Sequence, residues 1–330
     1  MNSAHLKKIR IGVSVLFFVL FIIIYLDLSG QAVQKLSNYV IFLQFVPSIL
    51  KFFGILSISA LGFIIVIAFT IIGSIAPYIL TKPEDAWGVT YDLNKAFQPP
   101  SLEHPFGTDG YGRDMLNRVI LGSRYSLIIA VCVVGLSLII GIIVGLVAGY
   151  SAGFIGTILM RLTDMFLAYP PLLLAVAFAS ILGRGVLTTI MALAISWWPW
   201  YARLIYVSVN SVRSAQYVEA AKVLGLSEFT IMAKYILPNS LIPVITQSML
   251  DMGSAILEAS ALSFLGVGVP PPIPEWGRLI SEGWVYVSKA WWITFFPGLV
   301  LLVTVVGFNL LGDAVKEYMN PRLRNIVAKR

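Results

Sequence analysis

The sequence has one cysteine, two histidines and few charged residues among its 330 positions. Cys132 can form no internal disulfide, and its apolar surroundings mark it as a small buried hydrophobe. His5 and His104 lie far apart, with no Cys or carboxylate partner at ligand spacing, so no metal site is expected. The same scarcity leaves no Ser–His–Asp or Cys–His arrangement, and no catalytic residue is expected. No Gly-x-x-x-x-Gly-Lys-Ser/Thr string occurs to cradle nucleotide phosphates. Only 12% of residues are charged, against roughly 25% in a soluble domain. No Lys/Arg cluster interleaved with aromatics accompanies the net charge of +7, so nucleic acid is not an expected partner. The excess reads as a membrane-topology signal.

What is present is apolar sequence, 58% of the chain. One soluble core cannot hide that much, so a lipid bilayer must solvate part of it. A helix crosses a bilayer with about 20 mostly apolar residues, and helices are the way for such runs to cross because their backbone bonds close internally. Six core spans are predicted, near 55–80, 126–149, 166–183, 187–207, 242–264 and 293–312. The organisation expected is an N-terminal extension (1–54), a first core helix with an extracytoplasmic loop (55–121), a permease-like helical domain (122–313) and a C-terminal tail (314–330).

Orientation follows from Lys and Arg. With the segment between the fourth and fifth spans placed in the cytoplasm, that side holds ten bases and five acids, and the opposite side eight of each. The C-terminus is then cytoplasmic and the protein a multi-pass component of the cell membrane. A seventh apolar stretch, 11–26, follows Lys7, Lys8 and Arg10 and reads as an extra membrane helix of open orientation. A cleaved signal peptide is the alternative, but it would invert the core.

In the second span Gly141, Gly145, Gly149 and Gly153 recur every four residues and stack on one helix face, where a neighbouring helix approaches closely. The neighbour belongs either to a partner or to the same chain. Residues 81–125 open as a loop containing FGTDGYGRD. They continue as an amphipathic helix expected to lie at the outer interface, with Arg118 and Arg124 away from its apolar face. Residues 266–292, rich in Pro and Trp, are expected to cap the outer mouth with indoles in the headgroup layer. Arg161 and Asp164 are expected to pair locally. Trp197, Trp198, Pro199 and Trp200 are expected to interrupt the fourth span and anchor it at the interface.

Asp251 and Glu258 lie seven residues apart within the fifth span, on one face with Gln247. An ionised carboxylate facing lipid costs a few kcal/mol, so that face lines a polar pathway or meets a neighbouring helix. Segment 217–239, YVEAAKVLGLSEFTIMAKYILPN, is polar enough to leave the membrane. Ala220 and Ala221 offer a flat helix surface, Gly225 permits a left-handed turn, Ser227 caps a second helix and Pro238 is expected to close it.

Glu219-Ala220-Ala221, Gly225 after three intervening residues, and Leu237-Pro238 resemble the EAA loop of ABC-importer permeases; Tyr235 stands where the general pattern has Ile. FGTDGYGRD, ALSFLGVGVPPPIPEWG and NLLGD…NPRLR are similar to the C-type permease subunit of dipeptide/oligopeptide importers. The resemblance covers about residues 75–325. It implies an all-α type I ABC-importer permease fold, with Glu219, Ala220, Ala221, Gly225, Leu237 and Pro238 coupling to an ATPase. Implied partners are a second homologous permease, two ABC ATPases and an extracytoplasmic substrate-binding protein. No cofactor is bound by this chain, and ATP and Mg belong to the ATPases. Related permeases carry nickel or oligosaccharides, which keeps cargo open. A proton-coupled carrier using Asp251 and Glu258 as relays is the competing class.

Overall fold

The computed structural model describes residues 58–80, 83–89, 91–151 and 153–319. The apolar stretch 11–26 and residues 320–330 of the tail lie outside them. Among the described residues the elements are helical: α1 (Ile58–Ile79), α2 (Pro83–Ala86), α3 (Met115–Tyr150), α4 (Phe154–Leu167), α5 (Pro171–Leu182), α6 (Val186–Arg213), α7 (Gln216–Val223), α8 (Glu228–Ile231), α9 (Leu237–Phe264), α10 (Trp276–Trp284) and α11 (Trp292–Met319). Short 3₁₀ and π turns occupy Leu93–Lys95 and Met232–Ile236.

Four helical stretches are long and apolar enough to cross a membrane: Ala60–Ile79, Met115–Tyr150, Glu228–Phe264 and Trp292–Glu317. The span expected at 166–183 starts in the last residues of α4 and is mostly α5; the two helices meet at 90° and are long and apolar enough to cross only as a pair. Pro170 and Pro171 explain the break, since a proline ring clashes with a continuing helix on its N-terminal side. The expected fourth span is α6, about 42 Å long at helical rise. It is not among the helices apolar enough to cross on their own, because Trp, Tyr and polar residues dilute its aliphatic content.

Other helices shield α6. It packs most extensively on α3, and the two run parallel. A Cβ on Gly141 would lie 2.4 Å from Tyr201 Cβ, one on Gly145 2.4 Å from the Ala202 carbonyl oxygen, and one on Gly149 2.8 Å from a Val209 methyl. Three glycines of the repeat therefore form a groove for a helix of the same chain. Gly153 does not join them: α3 ends at Tyr150, and Gly153, at φ +113°, precedes α4 with nothing near its Cβ position. Pro199 sits inside α6 without interrupting it.

The same pairings fix direction. α11 runs antiparallel to α1, with Gly62 against Leu310 and Gly307 against Ile65. α3, α6 and α11 lead away from one end of the bundle, and α1, α9 and the α4–α5 pair return to it. That end, the cap end, carries residues 83–89, 91–114 and 266–291. The opposite, loop end carries residues 214–231.

The structure corrects four expectations, three of them at the cap end. Residues 115–125 are not a separate interfacial helix but the first turns of α3, and Arg118 is completely buried. His104 does have a carboxylate partner: its Nδ1 is 2.8 Å from Asp114, which also caps α3 by accepting from the Asn117 N–H. Trp276 and Trp292 are buried rather than lipid-facing, and their indole N–H groups donate to the carbonyls of Val119 and Thr108. Asp164 pairs with Arg203 of α6 rather than with Arg161.

Candidate functional site

The loop end presents its sequence motif on two short helices. α6 stops at Arg213, and α7 starts at Gln216. α7 ends in a left-handed glycine turn: Gly225 has φ +74° and donates to the Lys222 carbonyl, while the Leu226 N–H reaches the Ala221 carbonyl. Only a residue free of Cβ strain turns the chain this way cheaply. Ser227 then caps α8 by accepting from the Thr230 N–H at 3.3 Å.

The faces of α7 divide the expected coupling residues. Glu219, Ala220 and Gly225 are exposed, whereas Ala221 is buried with Val218 against the bundle. Ala221 is therefore a packing residue of the loop, not part of its outer surface. Val223 (88% exposed), Leu224 (79%) and Phe229 (74%) stand in the open beside Glu219, Lys222 and Glu228. An apolar knob rimmed by charges is the form of a surface made to be covered. Sequence reasoning overlooked these three side chains; their signal was their place on either side of Gly225.

The second short helix does not close at Pro238. It continues through the π turn into α9, and Pro238 sits in the first turn of α9, where its missing N–H would have had no partner. Leu237 and Pro238 are half-buried at this junction. One rigid element therefore links the exposed loop to the interior of the bundle.

Further along that element stand the two carboxylates. Asp251 accepts from the Tyr201 hydroxyl and from the Gln247 amide, both at 2.8 Å. Glu258 accepts from the Trp197 indole N–H at 2.8 Å. Trp197 and Tyr201 are one turn apart on α6, so Trp197, expected to anchor at an interface, instead faces α9, while Trp200 stays exposed. Trp198, on another side of α6, meets Phe166 at 5.4 Å between ring centroids. Asp251 and Glu258 are half-buried, and neither has a cationic partner among the described residues. Neutral donors bond both carboxyl groups, and no cation among the described residues is paired with either.

The cap end carries a second charged cluster that the sequence did not suggest. Asp109 accepts from Arg113 Nε at 2.6 Å and from Arg118 at 2.8 Å, and Glu282 accepts from Arg118 at 2.8 Å and from Arg278 at 3.2 Å. Burial pushes the Glu282 carboxyl up, but Arg118, Arg113 and Arg278 outweigh it and hold the group below its usual range. Glu275, also fully buried, caps α10 and accepts from Ser126 and Ser260, joining α3 to α9. Among the described residues no group of His, Cys, Asp and Glu has the arrangement of a metal site.

Residues 141–325 match the family described as the binding-protein-dependent transport system inner membrane component. The chain is 38% identical over 268 residues to a dipeptide transport system permease protein of Alkalihalophilus pseudofirmus, covering 81% of this chain and 87% of the relative. It is 40% identical over 250 residues to a di/tripeptide transport system permease protein of Pseudomonas aeruginosa, covering 72% and 82%. It is 38% identical over 259 residues to a probable D,D-dipeptide transport system permease protein of Escherichia coli, covering 78% and 86%.

Proposed function

The chain belongs to the binding-protein-dependent transport family of inner membrane components, and from that premise we infer that it forms half of the pathway of an ATP-driven importer of di- or oligopeptides. It is a multi-pass transport subunit, not an enzyme, and the energy for transport is released on separate ATPases. A second, homologous permease would supply the other half of the pathway, two ATPases would bind at the loop end in the cytoplasm, and a binding protein would deliver cargo at the cap end. The names of the relatives favour peptides over nickel or oligosaccharides.

The observation that carries this reading is the exposed loop at 216–231. An ATPase docked on Glu219, Ala220, Gly225 and the Val223–Leu224–Phe229 knob would push on α8, and the push would pass through the π turn into α9. That helix carries Gln247, Asp251 and Glu258, proposed to line the pathway. The two carboxyl groups, paired with no cation among the described residues, suit the amino and N–H groups of a peptide. Family membership removes the ground for a proton-coupled carrier with the same carboxylates as relays.

The test is uptake of a labelled dipeptide into vesicles containing the complete complex. Uptake should survive an ionophore and stop without ATP on the ATPase side. Glu219→Lys or Gly225→Asp should abolish uptake while membrane insertion stays intact. Normal transport by both variants would refute the docking assignment.

A further inference from the structure

The loop end also holds a cavity of about 410 Å³ that none of these roles uses. It is built where α3 ends, α4 begins and α6 ends, and its walls include Ser151, Gly153, Thr157, Arg161, Asn210 and Arg213. Its volume falls in the range of small-molecule pockets.

The charges around it do not balance. Asp164 is the only acid on its wall, and Arg203 already neutralises it. Arg161 has no acidic partner among the described residues. Arg213 reaches only the Gly149 carbonyl, at a long 3.5 Å, and lies 5.8 Å from the centre of the Tyr150 ring. Two guanidinium groups therefore line one space with no ion-pair partner among the described residues; Glu228, which acts on the Tyr150 ring beside Arg213, pairs with neither. No side chain caps the start of α4, so its first N–H groups add partial positive charge on the same wall.

We propose that this cavity binds a phosphate-bearing anion, either the headgroup of an acidic phospholipid or free phosphate, at the root of α7. Basic pockets between membrane helices are suited to such headgroups, and guanidinium forks match phosphate geometry. The site is separate from the peptide pathway, whose proposed lining carries carboxyl groups instead. Because α6 leads from Arg213 into α7 within three residues, a bound anion ties the ends of three helices together beside the loop.

The full-length chain, purified in neutral detergent, is offered phosphatidylglycerol or phosphatidylcholine, and bound lipid is counted by native mass spectrometry. The wild type should retain phosphatidylglycerol in preference. Arg161→Gln with Arg213→Gln should lower that binding about tenfold or more, and Arg184→Gln, an exposed base at the other end, should not. Millimolar inorganic phosphate forms the second arm: displacement of the lipid assigns a site open to the soluble ion, and resistance assigns the lipid headgroup. Equal retention of phosphatidylcholine, retained phosphatidylglycerol in the double variant, or the same loss in Arg184→Gln would overturn the proposal. Should the double variant not fold, Asn210→Asp places a carboxylate on the cavity wall at an exposed position and must lower binding comparably. Unchanged binding there overturns it as well.

Discussion

At the cap end Arg118 and Asp109 are buried, Arg118 bonds both Asp109 and the half-buried Glu282, and two indoles seal the joints between segments more than 150 residues apart. At the loop end Val223, Leu224 and Phe229 are exposed with little packed on them. Both ends expose apolar side chains, Leu102 and Val285 at the cap among them, but only the cap is also locked inside the chain by a buried ion network. A substitution at the cap end should therefore act on stability, and one at the loop end on assembly.

The contrast is most sharply tested at Arg118. Arg118→Met leaves the buried Asp109 and the half-buried Glu282 with fewer cations, and should cost about 3–5 kcal/mol in thermal unfolding of the detergent-solubilised chain. A loss below about 1 kcal/mol would show that the cap is not the locked end. Gly145→Val comes next. Its Cβ would lie 2.4 Å from the Ala202 carbonyl oxygen, so α3 and α6 must part, at about 1–3 kcal/mol by the same assay. Acid should have a smaller effect on the cap. The Glu282 carboxyl is held below its ordinary value of 4.5, so its contribution is complete above that pH and is lost as pH falls through the lowered value. Glu282→Gln should flatten this acid limb of the stability profile. Phe229→Ala should change stability least, within about 0.5 kcal/mol, yet weaken association with the ATPase about tenfold or more. A Phe229→Ala chain that unfolds easily, or binds its ATPase normally, would erase the distinction between the ends.

The sequence revealed the loop end better than the cap end, for a physical reason. Glu219, Gly225 and Ser227 act through local rules of helix ends and turns, which a string of neighbouring residues displays. The two carboxylates were legible as a pair on one face, because seven residues make two turns. Their partners were not: Tyr201 and Trp197 lie 50 and 61 residues away in sequence. The cap cluster joins Arg118 to Glu282 across 164 residues, and nothing in either neighbourhood announces the other. Arg118 looked like the polar side of an interfacial helix because a buried ion network and a wet surface both call for the same residue. Pro238 misled in the opposite direction: a proline marks a helix end, but it serves equally as the start of the next one, and only the path of the chain decides.

The composition of α6 bears on how the molecule is made. This helix enters the bilayer poorly by itself, yet its place is against the glycine face of α3, which precedes it in synthesis and is apolar enough to be waiting in lipid. α3 thus offers α6 a fitted face inside the chain, so lipid need not solvate all of its polar and aromatic residues. Gly141, Gly145 and Gly149 keep that face open. A side chain at any of them should lower the yield of inserted chain before it lowers transport.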